Sequence, residues 1–142
     1  MNNRANTLDP KLERAIRSLH APTDWVHLAT IQRDGEPHVT PMMMGVRPPA
    51  LLFRLTGKQK VRNLERDARA CVAISRPVTM AHVIVWGMIE LRWDAEAQEI
   101  WNGMIRDAFG PEGLAKRARA LSREGTCLGV MTPIRHRIYG VE

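Results

Sequence analysis

The sequence is poor in cysteine, serine and aromatic residues, and it has no long apolar run. Each shortage closes off a class of function. Cys71 and Cys127 are the only cysteines among 142 residues. Neither has a Cys or His close by at metal-ligand spacing, so a metal centre is not expected, and two reduced, partly buried thiols are. Cys71 sits in the apolar run Ala70-Cys71-Val72-Ala73-Ile74, where a thiol behaves as a small apolar side chain. Ser18, Ser75 and Ser122 are the only serines, and none sits on a nucleophile elbow. The order of Ser, His and Asp gives no hydrolase signature. There is no glycine-rich nucleotide loop and no P-loop. Aromatics make up 5% of the chain and form no RNA-stacking motif. No apolar stretch is long enough to span a bilayer. Met1-Asn2-Asn3-Arg4-Ala5-Asn6 lacks the apolar core of a signal peptide, so a cytoplasmic protein is expected.

Positive charge and apolar patterning are what the chain does have. The net charge is +6, and 44% of residues are apolar. Such a charge attracts nucleic acid, anionic lipid or a phosphorylated small molecule. The lysines and arginines are spread along the chain, which argues for a solvated basic surface over a nucleic-acid interface. The length suits one domain over residues 1–142, with no repeat, linker or low-complexity tract.

Periodicity divides the chain into short elements. Leu8, Leu12, Ala15, Ile16 and Leu19 are spaced as an amphipathic helix within residues 1–20, ended by Pro22. Trp25 to Ile31 alternates as a strand, with Val26, Leu28 and Thr30 on one face. Asp34-Gly35 is a two-residue hairpin signal, leading to a second strand from Pro37 to Val46. Arg47-Pro48-Pro49 forces a turn. Ala50 to Thr56 forms a third strand, Lys58 to Arg66 a short helix, and Ala70 to Ser75 a fourth strand. The longest strand is His82 to Trp93. Its odd positions are nearly all apolar and face a core. Its even positions are polar at the ends and apolar at the centre, which suits a partner subunit or a ligand. Asp94 caps a helical pair over residues 94–123, broken at Gly110-Pro111 and ended by Gly125. Two last strands, Thr126 to Met131 and Ile134 to Val141, are expected to meet at a tight connection around Thr132-Pro133. Hairpin signals between early strands favour a small antiparallel barrel over a parallel sheet.

One segment carries chemistry. Thr56-Gly57-Lys58-Gln59-Lys60-Val61-Arg62-Asn63-Leu64 leaves the third strand and opens the short helix. Free N–H groups, the helix dipole and two lysines favour an anion there. A phosphate dianion needs about two cations besides N–H donors, since one surface pair contributes only ~0–1 kcal/mol. Lys58, Lys60 and Arg54 can supply them. The plainer alternative is that Lys58, Lys60 and Arg62 form the solvated face of a helix. Pro41 inside a strand marks an edge, a bulge or the approach of a ligand. Met42, Met43 and Met44 suit either a flat ring or a core.

The chain resembles the flavin-binding split-barrel proteins related to pyridoxamine 5'-phosphate oxidase. Four stretches carry the likeness in order: Leu28 to Pro41 as the opening hairpin, Lys58 to Arg69 after the third strand, Trp86-Gly87 followed by Glu90, and Thr132-Pro133 before a basic final strand. The resemblance covers roughly residues 20 to 141. It implies a mainly β fold with peripheral helices. The barrel is a six-stranded antiparallel split β-barrel of Greek-key type, in a homodimer with two flavin sites at the interface. The implied cofactor contacts are His38, Val39, Thr40, Pro41, Met42 and Met43 along the ring and ribityl chain, and Phe53 and Arg54 at the end of the third strand. Gln59 and Lys60 match the phosphate pair, and His82 reaches across from the other subunit. Gln59 replaces the family's usual arginine, and Lys58 or Arg54 can supply that charge. No full equivalent of the basic C-terminal motif of true pyridoxamine-phosphate oxidases follows Arg135-His136-Arg137-Ile138-Tyr139. Vitamin B6 oxidation is therefore not the expectation. The expected function is an FMN-binding oxidoreductase acting on a small molecule. The alternatives are a reductase using the deazaflavin coenzyme F-420, and a non-catalytic flavin or haem carrier.

Overall fold

A computed structural model describes residues 7–123 and 125–141. The segment Met1 to Asn6, read above for a signal peptide, lies outside the described residues. So do the start of the N-terminal helix region, Glu124 and Glu142.

The chain folds as α1 (Pro10–Leu19), β1 (Trp25–Ile31), β2 (Pro37–Arg47), β3 (Ala50–Leu55), α2 (Lys58–Arg66), β4 (Arg69–Ser75), β5 (His82–Arg92), α3 (Ala95–Arg117) and β6 (Cys127–Tyr139). The strands close into an antiparallel barrel in the order β1-β2-β3-β6-β5-β4. The first three strands are a meander. The chain then crosses through α2 to β4, which pairs with β1 and closes the ring. No described helix is long and apolar enough to cross a membrane.

Local chemistry explains the elements. Asp9 caps α1, accepting from the N–H groups of Lys11 at 2.9 Å and Leu12 at 3.1 Å, and Pro10 occupies the first turn. Leu12, Ala15, Ile16 and Leu19 form one buried stripe, which packs against β4, β5 and β6. On β1 the even positions Val26, Leu28 and Thr30 are buried, as the alternation requires. Ala50, Leu51, Leu52 and Phe53 are buried on both faces of β3, because α3 lies over its outer side. Cys71 and Cys127 are free thiols, and burial pushes the Cys127 thiol up to about 12.

Three expectations are corrected. The β1–β2 hairpin is real, but its loop holds Arg33, Asp34 and Gly35. The Gly35 N–H donates to the Gln32 carbonyl, and only Gly35 has positive φ, at 90°. A two-residue turn would need positive φ at Asp34 as well. The last two strands are one. β6 runs through Thr132-Pro133, and its pairing with β5 shifts between Trp86↔Arg135 and Gly87↔Pro133, so Ile134 bulges out. Pro133 sits where the ladder is already interrupted, so its missing N–H costs little. Finally, the helical pair within α3 is broken at Gly110-Pro111 as expected, but its second half stops at Arg117 instead of Arg123. Gly110 adopts φ 74°, ψ 178° at the bend. Beyond Ala118 the Gln98 side chain takes over the backbone. It donates to the Arg119 carbonyl at 3.0 Å and accepts from the Leu121 N–H at 2.7 Å. A continuing helix would use those groups itself.

The bulge also explains the glycine in Trp86-Gly87. A Cβ at Gly87 would lie 2.4 Å from the Thr132 carbonyl oxygen. That oxygen belongs to the backbone and cannot swing aside. Gly87→Ala is expected to destabilise the protein by about 1–3 kcal/mol, read as a lower urea midpoint with an unchanged slope. An unchanged midpoint would show that β5 and β6 separate there without cost.

Candidate functional site

The barrel is split on one side. β2 pairs with β1 from Pro37 to Met43, but with β3 only from Met44 to Arg47. The first half of β2 therefore has a free edge. Past the split, β3 leaves through Arg54 and Leu55 into Thr56, Gly57 and α2.

A cleft of about 200 Å3 lies at this split. Pro41, Met42 and Met43 line it from β2, Arg54 from β3, Thr56 from the linker and Lys60 from α2. Trp25 of β1 and Trp101, Arg117 and Arg119 of the α3 region complete it. Four cations meet there, and no carboxylate lines the cleft. None of the four pairs with an acid among the described residues. Burial holds the Arg54 guanidinium below its usual range, with repulsion from Arg117 adding to it, and burial lowers Lys60. The Arg54 guanidinium donates to the Met43 sulfur. Lys60 folds back over Gly57, where a Cβ would meet its Nζ at 2.6 Å. Glycine at 57 thus leaves room for the Lys60 ammonium to lie against the backbone.

The structure gathers some of the expected site residues and disperses others. Pro41, Met42, Met43, Arg54 and Lys60 share the cleft. Lys58 points elsewhere, to a cavity bordered by Arg62, Glu65 and Arg123. The geometry therefore sets Arg54, and not Lys58, beside Lys60. Gln59 is exposed and turned to Asn63. Phe53 is fully buried in the barrel core. His38, Val39 and Thr40 lie further out along the free edge, where Val39 is exposed. The Nδ1 of His38 and the Oγ1 of Thr40 are buried without partners among the described residues. His82 sits at the far end of β5, stacked on Tyr139 with ring centroids 5.2 Å apart.

Sequence reasoning missed the α3 wall. Trp101, Arg117 and Arg119 lie far along the chain from the β3–α2 segment, and no local spacing links them to it. It also left Asn63 as one letter of a motif. Asn63 is fully buried. It donates to Thr30 Oγ1 at 3.0 Å and accepts from Gln59 Nε2 at 2.8 Å. Arg66 adds a hydrogen bond to the Ile31 carbonyl. These bonds hang α2, and Lys60 with it, from β1.

A larger cavity, about 720 Å3, opens between β2 and α3 and shares Met43 and Arg54 with the cleft. Arg17 and Arg47 face Glu96, Glu99 and Asp107 there, so its charges offset. The charged residues that line the smaller cleft are all cations, with no carboxylate among them.

A split barrel with an unpaired strand edge beside a basic cleft defines a class of cofactor-binding barrels. The family model described as pyridoxamine 5'-phosphate oxidase matches residues 12–124, and the chain belongs to that family. Its members bind flavin or related cofactors. No curated protein matches the chain. Among solved structures, it is similar to a conserved hypothetical protein of Mycobacterium tuberculosis at 22% identity and TM-score 0.73, covering 98% of this chain and 89% of that one. It is also similar to an F420 reductase at 22% identity and TM-score 0.66, covering 86% and 94%. The haem storage protein HutZ of Vibrio cholerae aligns at 14% identity and TM-score 0.71, covering 95% and 96%. These likenesses establish the shared fold.

Asn63→Ala removes both side-chain bonds from a buried position. It is expected to lower stability by about 1–3 kcal/mol in urea unfolding. A loss within experimental error would mean that the Gln59-Asn63-Thr30 chain does not hold α2.

Proposed function

We propose that this protein is an FMN-binding oxidoreductase acting on a small molecule. The observation that carries the reading is the convergence of Arg54, Lys60, Arg117 and Arg119 on one cleft without a carboxylate. A phosphate dianion suits that charge. The donor set fits the group in other respects. Gly57 leaves room for the Lys60 ammonium, and the unpartnered Thr40 Oγ1 and His38 Nδ1 continue along β2. Pro41, Met42 and Met43 offer an apolar wall next to the cations. Bound there, the flavin would supply the hydride or electron chemistry. The chain's own residues bind and orient it. Arg54 and Lys60 hold the phosphate, and Met42 and Met43 shield the site from water. No side-chain acid or base is assigned to the reaction.

A second reading keeps the site and changes the cofactor to the deazaflavin coenzyme F-420. Arg117 and Arg119 favour it, because they add positive charge beyond what Arg54 and Lys60 give a single phosphate. A carrier without turnover is the outcome if flavin binds and no donor and acceptor pair is served.

The protein is also proposed to form a homodimer. The outer face of β5 and β6 supports this, with Met88 at 41% exposure, Ile134 at 67% and Tyr139 at 54%. Light scattering at micromolar concentration is expected to give twice the chain mass, and a monomer would count against the interface.

Side-by-side titration of FMN and the deazaflavin, followed by fluorescence, tests the cofactor. Lys60→Ala is expected to weaken the bound cofactor about tenfold or more while leaving the melting temperature nearly unchanged. Wild-type protein that quenches neither cofactor sinks the reading. Unaltered affinity in the variant removes Lys60 from it.

A further inference from the structure

The barrel motif accounts for one wall of the cleft and leaves the α3 wall unassigned. Trp101 lines that wall at 2% exposure, and its indole N–H has no acceptor among the described residues. Buried donors are nearly always partnered, so this one calls for an acceptor. Arg117 arrives through the bend in α3 at Gly110. Phe109, just before the bend, carries the Arg117 guanidinium 4.1 Å from its ring centroid and that of Arg54 at 5.6 Å. Gly113 makes room for that ring, since a Cβ there would lie 2.2 Å from the Phe109 Cβ. Arg119 follows the helix end, its carbonyl fixed by Gln98 at 3.0 Å. The guanidiniums of Arg117 and Arg54 are thus held around one ring, and Lys60 and Arg119 line the same cleft. Like charges placed together repel unless an anion lies between them.

We propose that α3 closes the cleft as an anion clamp, in which the Trp101 indole N–H, Arg117 and Arg119 bind the same phosphate that Arg54 and Lys60 hold from the barrel side. The inference rests on the reading of the cleft as a phosphate site. It adds a specificity rule: the clamp selects a phosphate ester over its unphosphorylated analogue. The barrel half holds the phosphate from the strand and α2. The α3 half recognises its outer oxygens through one neutral N–H and two charges.

Trp101→Phe keeps an aromatic ring in place and removes the N–H. The double variant Arg117→Gln/Arg119→Gln removes two charges from exposed positions. FMN and riboflavin are titrated against wild type and both variants. FMN affinity is expected to fall about tenfold in Trp101→Phe and further in the double variant, with riboflavin affinity unchanged. Equal FMN affinity in all three proteins overturns the clamp. So does an equal loss for FMN and riboflavin, which would be a packing effect. Where Trp101→Phe does not fold, by near-UV circular dichroism, the double variant decides. If wild type binds neither flavin, the cofactor reading fails separately, and inorganic phosphate becomes the probe. A phosphate-induced rise in melting temperature that the double variant loses supports the clamp. No rise, or the same rise in the variant, overturns it.

Discussion

The incomplete pairing of β2 shapes the rest of the molecule. Its second half, Met44 to Arg47, is bonded on both sides, while its first half is bonded only to β1. An edge strand leaves N–H and C=O groups without partners. Here the edge opens beside the exit of β3. The backbone needs something to cover it, and the cations of Arg54 and Lys60 stand alongside. The pairing gap therefore creates the cleft, and the side chains give it its charge.

Position on the barrel then explains which parts of the sequence were readable. β1, β3 and α2 were legible because their signals are local: alternation at Val26, Leu28 and Thr30, an unbroken apolar run at Ala50 to Phe53, and helical spacing at Val61 and Leu64. The fold class followed from those runs and from the family resemblance. Two of the errors share one cause. Pro133 and Gly125 were read as stops, but tertiary partners set their meaning. Across from Pro133, Gly87 accommodates a bulge, so the proline ends nothing. Before Gly125, the Gln98 side chain draws the chain out of its helix from more than twenty residues away.

The site divides in the same way. Pro41, Met43, Arg54 and Lys60 were within reach of motif and spacing. Trp101, Arg117 and Arg119 were not, because they enter through the fold. Asn63 shows an intermediate case. Its letter was visible in a motif, but its role depends on Thr30, a partner in another strand. A buried amide that joins a helix to a strand can be recognised only when both are in view.

The bend at Gly110 has a consequence of another kind. The arm beyond it, from Pro111 to Leu121, is joined to the first part of α3 through the non-helical Gly110 on one side and held by the Gln98 amide on the other. Few of its side chains enter the barrel core. The arm and the barrel can therefore diverge at different rates. Substitutions in the arm would change one wall of the cleft and leave the packing of the barrel core alone. A scaffold built this way lets descendants exchange cargo without having to reinvent the container.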